Sequence, residues 1–191
     1  MRNLALLNKA LPCKWSWHFA VKRKALWRQV IRGKYREEKG GWQSCEVRGS
    51  FGVGLWKAIK RDWDVIGSNM VYSVGNGRRV RFWKDRWCGD FPLYTSFPFL
   101  FSISLSKKAW VEDVSNHSKG GVWVPRFSKW LNDWEVFNVE LFFLRLQGKR
   151  VCSDVEDQVV WTKSKDGRFS IKSLYKALES ERQGDFLARV I

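Results

Sequence analysis

Apolar positions change their spacing several times along the chain, and each change marks an element. Leu4, Leu7 and Leu11 recur at helical spacing, Pro12 interrupts, and Ala25, Leu26, Trp27, Val30 and Ile31 form a second stripe ending at Gly33. Residues 4–34 therefore read as helical, with the proline expected to break the first helix. Residues 35–52, with Gly40-Gly41 and Gly49, read as a loop. Leu55, Trp56, Ile59, Trp63 and Ile66 predict a third helix over 54–66.

The period then shortens. Val71-Tyr72-Ser73-Val74, Gly75-Asn76-Gly77 and Arg78-Arg79-Val80-Arg81-Phe82-Trp83 read as strand, tight turn and strand. Alternation puts Arg79, Arg81 and Trp83 on one face of the second strand and Val80 and Phe82 on the other. Residues 91–131 are aromatic and irregular, punctuated by Pro92, Pro98, Gly120-Gly121 and Pro125. Asn132 with Glu135 three residues on is a capping-box start for a helix, with Val136, Val139, Phe143 and Leu146 as its apolar face and Gly148 as its stop. A second hairpin is expected over 158–171, turning at Lys165-Asp166-Gly167. Ser170 then caps a last helix through Glu181 with the stripe Leu174, Tyr175 and Leu178. The expected fold class is α+β: a helical N-terminal part, then short β-hairpins and further helices. The expected divisions are a basic helical region (1–70), a hairpin with an aromatic-rich linker and helix (71–157), and a final segment (158–191).

Composition sharpens this picture. Of 191 residues 45% are apolar and 16% aromatic, including 13 tryptophans, which is enough apolar area for a compact core. The net charge is +16. Residues 1–90 carry 20 Lys/Arg against 7 Asp/Glu, whereas residues 91–191 carry 15 against 12. A basic surface of that size concentrates polyanions and makes their binding salt-dependent; it is equally compatible with a solvated face that has no partner. The four cysteines, Cys13, Cys45, Cys88 and Cys152, stand singly, so their spacing suggests neither a zinc knuckle nor a redox pair, and buried reduced thiols are expected. Without a signal-peptide core or an 18-residue apolar run, an intracellular, soluble chain with no membrane contact is expected, in nucleus or cytoplasm.

Catalytic signatures are missing. Two histidines, His18 and His117, do not make a multi-histidine metal site. Gly52-Val53-Gly54 and Gly75-Asn76-Gly77 lack the rest of a nucleotide-binding fingerprint. A polymerase needs clustered carboxylates for two metal ions, and Asp62 and Asp64 on either side of Trp63 read as a helix surface. No enzyme activity, metal, cofactor or small-molecule substrate is expected. The candidate binding segment is Arg78, Arg79, Arg81, Trp83, Lys84, Arg86 and Trp87, with RNA or DNA as partner. Guanidinium groups pair with phosphate oxygens and exposed indoles stack on unpaired bases. Two arrangements satisfy this pattern: the rings are exposed platforms, or they are core and the arginines cover them. Lys14-Trp15-Ser16-Trp17, with one cation beside its rings, reads more simply as helix-core packing.

These blocks also carry a resemblance. Leu6-Leu7-Asn8-Lys9-Ala10-Leu11, Lys14-Trp15 and Trp17, Leu26-Trp27-Arg28-Gln29-Val30-Ile31, Gly54-Leu55-Trp56-Lys57-Ala58-Ile59, Val74-Gly75-Asn76-Gly77 and Phe82-Trp83-Lys84-Asp85-Arg86-Trp87 resemble plant LINE-type non-LTR retrotransposon polyproteins just after their reverse transcriptase. Asp157-Gln158, Trp161 and Gly167-Arg168-Phe169-Ser170-Ile171-Lys172-Ser173-Leu174-Tyr175 are similar to the opening of the reverse-transcriptase zinc-binding domain. Such sequences are often labelled ribonuclease H proteins. The resemblance implies a non-catalytic piece truncated at both ends: the family's polymerase carboxylates lie upstream and its zinc ligands downstream, so neither carries over. It leaves three rivals open: an autonomous nucleic-acid-binding module, an enzyme of the labelled kind, and a degenerate remnant in which Leu174, Tyr175 and Leu178 lack their packing partner and are exposed. Pro12-Cys13 and Arg36 depart from the family pattern; Arg36 stands where glycine is usual, and its Cβ disfavours a positive φ.

Overall fold

The computed structural model describes residues 3–45, 54–61, 63–116, 122–129 and 132–190. It is α+β, and its chain divides into two compact units, residues 1–70 with 159–191 and residues 71–158. Residues 159–191 share the first unit with the N-terminal helices.

In the first unit, α1 (Leu4–Val21) is one continuous helix with Pro12 inside it, so the expected break does not occur. Asn3 caps it, its Oδ1 accepting from the amides of Ala5 (3.0 Å) and Leu6 (3.4 Å). The missing Pro12 N–H is outweighed by packing on both sides of it, because Ala10, Cys13, Trp17 and Ala20 are all buried on one face. Leu4 and Leu11, expected on that face, are exposed. Helix α2 (Leu26–Tyr35) lays Trp27, Ile31 and Tyr35 against a cluster of Phe19, Trp56 and Ile59 and leaves Leu26 and Val30 in solvent. Trp56 and Ile59 come from α3 (Gly54–Arg61), which is followed by α4 (Trp63–Gly67).

The final helix, α9 (Ile171–Val190), is longer than expected and packs on α1. Ser170 caps it, its Oγ accepting from the Ser173 amide at 3.0 Å. Leu174 and Leu178 are buried and the Asn3 amide donates to Tyr175 Oη at 2.9 Å, so this stripe has its partner within the chain. The segment before α9 is not a second strand. The Trp161 amide reaches the Gly167 carbonyl across the expected turn (2.9 Å), but Phe169 then stacks on Trp17 (5.5 Å, 19°) and meets Trp161 edge-on (5.0 Å, 77°). Ring packing and the helix cap take the residues that a returning strand would have used.

Strand β1 (Met70–Ser73) is followed by turns and no second strand over residues 74–83, so the hairpin expected over 71–83 does not form; β4 spans Gln158–Trp161. The 91–131 stretch is more ordered than its breakers suggested. It holds α5 (Leu93–Ser96), α6 (Pro98–Ile103, with the proline in the first turn), α7 (Val111–Val114), and β2 (Ser115–Asn116) paired antiparallel with β3 (Val122–Trp123). Helix α8 (Asp133–Leu146) starts where expected, with the Glu135 carboxylate accepting from the Asn132 amide at 3.0 Å. Its buried face is rotated from the expected one: Glu135, Phe142 and Leu146 are inside, whereas Val136 and Phe143 are exposed. Cys13 and Cys88 are buried free thiols, but Cys152 is exposed.

Candidate nucleic-acid interface

Gly75-Asn76-Gly77 does not serve as a two-residue hairpin turn. Its amides close around one carboxylate: Asp157 Oδ1 accepts from Gly75 N and Gly77 N, and Oδ2 from Arg79 N, each at 2.8 Å. With these donors committed, residues 75–79 have no ladder to offer a partner strand. Glycine is required at both positions. A Cβ on Gly75 would lie 2.2 Å from the Val155 carbonyl oxygen; Gly77 has φ +72° and a Cβ there would lie 2.7 Å from the Glu112 amide. Asp157, buried and far along the chain, fixes the start of the basic segment.

Beyond the loop, residues 80–82 bond to 109–111 through Val111 N to Val80 O (2.9 Å) and Phe82 N to Ala109 O (3.0 Å). Here the two arrangements left open by the pattern are separated. Trp83 is 1% exposed and Trp87 6% exposed, so neither offers a face to a base. Trp83 stacks on Phe142 (5.5 Å, 25°) and donates from Nε1 to Ser104 Oγ (3.1 Å); Trp87 donates to the Phe82 carbonyl (2.8 Å) and meets Trp123 (5.3 Å). Buried indoles with satisfied N–H groups are core.

The cations of the segment stay near the surface. Arg78 and Lys84 are exposed, and Arg79, Arg81 and Arg86 are half-buried. Arg78 Nε pairs with Glu112 Oε1 at 2.9 Å. The Arg81 guanidinium lies 3.7 Å over the Trp110 ring and donates to the Lys108 carbonyl, so the arginine covers an indole other than the expected ones. Asp85 accepts the Arg81 amide at 2.6 Å; burial raises its pKa to about 6, against the opposing pull of that hydrogen bond and of Arg81 and Lys84. Beside Arg81 opens a cleft of about 610 Å³, lined in part by Ser104, Lys107, Lys108, Asp113 and Arg126. Lys107, Lys108 and Arg126 give no signal in the sequence as a group, because they are dispersed over an irregular stretch.

Buried carboxylates elsewhere are also engaged by the chain itself. Glu135 accepts from Lys129 Nζ (2.7 Å) and the Asn132 amide (3.0 Å), and its pKa is lowered, first by the lysine hydrogen bond. Among the described residues no group of three or more His, Cys, Asp or Glu is placed to hold a metal ion, and no helix is long and apolar enough to cross a membrane. Asp64 is exposed on α4, whereas Asp62, His117 and residues 46–52 of the loop expected over 35–52 lie outside the described residues.

The chain is 25% identical over 189 residues, covering 90% of its length, to an Arabidopsis thaliana protein named "putative ribonuclease H protein". It spans 27% of that relative's length. No family model matches the chain, and no solved structure matches it.

Proposed function

We propose that the chain is a non-catalytic, nucleic-acid-contacting part of a retrotransposon-derived polyprotein, from the LINE-type region between reverse transcriptase and zinc-binding domain. The observation that carries the binding reading is the division of labour within residues 78–87: the indoles of Trp83 and Trp87 inside, Arg78 and Lys84 exposed. A surface of this kind holds the phosphate backbone and reads no sequence. The partner is RNA or DNA, contacted through Arg78, Lys84 and the neighbouring Lys107, Lys108 and Arg126. The family blocks fit the same reading, because Gly75-Asn76-Gly77 with Asp157 and Phe82-Trp83 with Trp87 build the frame on which these cations sit. Non-catalysis is supported by the use of Asp85, Glu135 and Asp157 as acceptors for the chain's own amides and lysine.

The test is fluorescence anisotropy of a labelled oligonucleotide titrated with the full chain at several salt concentrations. Arg78→Gln with Lys84→Gln should weaken binding and flatten the log–log salt slope by about 1.4, since each phosphate contact on a single strand adds about 0.7. Unchanged affinity and slope in this pair would remove the interface. Incubation of the chain with an RNA–DNA hybrid and magnesium should leave the hybrid intact; cleavage that follows the protein through purification would overturn the non-catalytic reading.

A further inference from the structure

We infer that the outer stripe of α1, Lys14, Trp15, His18 and Lys22, is a second nucleic-acid contact, on which a single strand lies with a base against the Trp15 ring. This deepens the proposed function and rests on it, but it concerns a different unit and different residues. Trp15 was expected in the core beside Trp17. The structure buries Trp17 and leaves Trp15 48% exposed. Its ring is held edge-on by His18 (6.2 Å, 79°) and Trp27 (5.4 Å, 85°), which fixes an indole at the surface without enclosing it.

The charges around this ring are of one sign. Lys14 and His18 stand one turn apart on one face of α1, and Lys22, the residue that caps its C-terminus, follows four positions on. Both lysines are exposed, and both press on the half-buried imidazole: the His18 pKa is lowered, by burial first, then by Lys22 and Lys14. Residues 1–36 contain ten Lys/Arg and no Asp or Glu. Arg28 is the buried cation of this stretch, and it is neutralised by Glu37 at 2.7 Å.

A nucleic-acid strand fits this surface better than an anionic bilayer does. A helix that lies in a membrane surface needs an apolar face for the acyl region. α1 commits Ala10, Cys13, Trp17 and Ala20 to its own core, and the aliphatic residues it leaves exposed, Leu4, Leu11 and Val21, are spread over the length of the helix rather than gathered into one broad apolar face. Around residues 14–22 it shows to solvent a fixed indole among cations, the combination that pairs phosphates and stacks unpaired bases. With Trp83 and Trp87 buried, Trp15 is the better-placed platform.

The experiment titrates the full chain into fluorescein-labelled oligouridylate and oligothymidylate, with phosphatidylserine vesicles as a second arm. Trp15→Leu should weaken oligonucleotide binding on the order of tenfold with the salt slope unchanged, and Trp15→Phe should retain most of the affinity. Lys14→Gln with Lys22→Gln should flatten the slope by about 1.4. These lysines are exposed, so this pair keeps the test decisive if Trp15→Leu fails to fold. Wild-type affinity and slope in the folded variants, while the unit-two pair Arg78→Gln and Lys84→Gln is impaired, would overturn the α1 surface alone. Binding to vesicles in place of oligonucleotides, lost in the lysine pair, would overturn it in favour of a lipid surface. Absence of oligonucleotide binding by the wild type would overturn both readings.

Discussion

Asp157→Asn probes the junction between fold and interface most sharply. Asparagine keeps the shape of the side chain, and its carbonyl can replace Oδ1 as acceptor for the Gly75 and Gly77 amides. Its NH2 group then faces the Arg79 amide, a donor against a donor, where the native distance is 2.8 Å. An orphaned buried donor costs about 1–3 kcal/mol. The two retained hydrogen bonds lose their charge assistance, which roughly halves each and removes about another 1–2 kcal/mol together. The expected loss is therefore about 2–5 kcal/mol, a large fraction of the stability of an ordinary domain. Urea unfolding followed by tryptophan fluorescence measures it, and hydrogen exchange locates it: the Gly75, Gly77 and Arg79 amides should lose protection before the rest. A loss under about 1 kcal/mol, or protection unchanged at these amides, would show that Asp157 does not anchor the loop.

Three further substitutions test separate parts of the structure. Arg36 follows α2 with φ +58°, the left-handed region its Cβ disfavours; Arg36→Gly should stabilise by about 1 kcal/mol, strain relief of about 1–3 kcal/mol being partly offset by glycine's unfolded-state entropy, and an unchanged or lower urea midpoint would contradict this. Asp85 has a folded pKa of about 6 against an ordinary 3.8, so its contribution is present below pH 3.8 and lost as pH rises through 6. Asp85→Asn should therefore gain on the wild type between pH 4 and pH 7 by up to about 3 kcal/mol, and a pH-independent difference in unfolding free energy would refute the burial argument. Trp83→Ala should cost about 3–5 kcal/mol of stability, whereas a truncation that impaired oligonucleotide binding in a still fully folded chain would restore Trp83 to the interface.

Local signals with a short physical range were legible from the residues. The Asn132/Glu135 start of α8 and the Ser170 cap of α9 each depend on residues within three positions of one another, whereas the glycine-demanding position of Arg36 is reached only through the family resemblance. The failures have a common cause in long-range competition. Gly75-Asn76-Gly77 reads as a hairpin turn until Asp157, some eighty residues on, takes its amides. Pro12 reads as a helix break until the buried face of α1 is seen to hold the helix together. The aromatic-basic segment 78–87 is legible as a unit, and alternation rightly sets Val80 and Phe82 apart from Arg79 and Arg81, but it puts Trp83 with the arginines because the extended pairing is only an isolated bridge at Arg81 and does not run on through Trp83. Trp15 and Trp17 differ only in which side of α1 they occupy, and composition around them could not rank the two.

Salt dependence of oligonucleotide binding by the full chain tests the central claim most directly. Affinity should fall linearly with the logarithm of salt concentration, with a slope of about −2 or steeper, corresponding to three or more phosphates held on a single strand. A chain that fails to bind at about 50 mM salt, or binds with an affinity indifferent to salt over the range to about 200 mM, would contradict it.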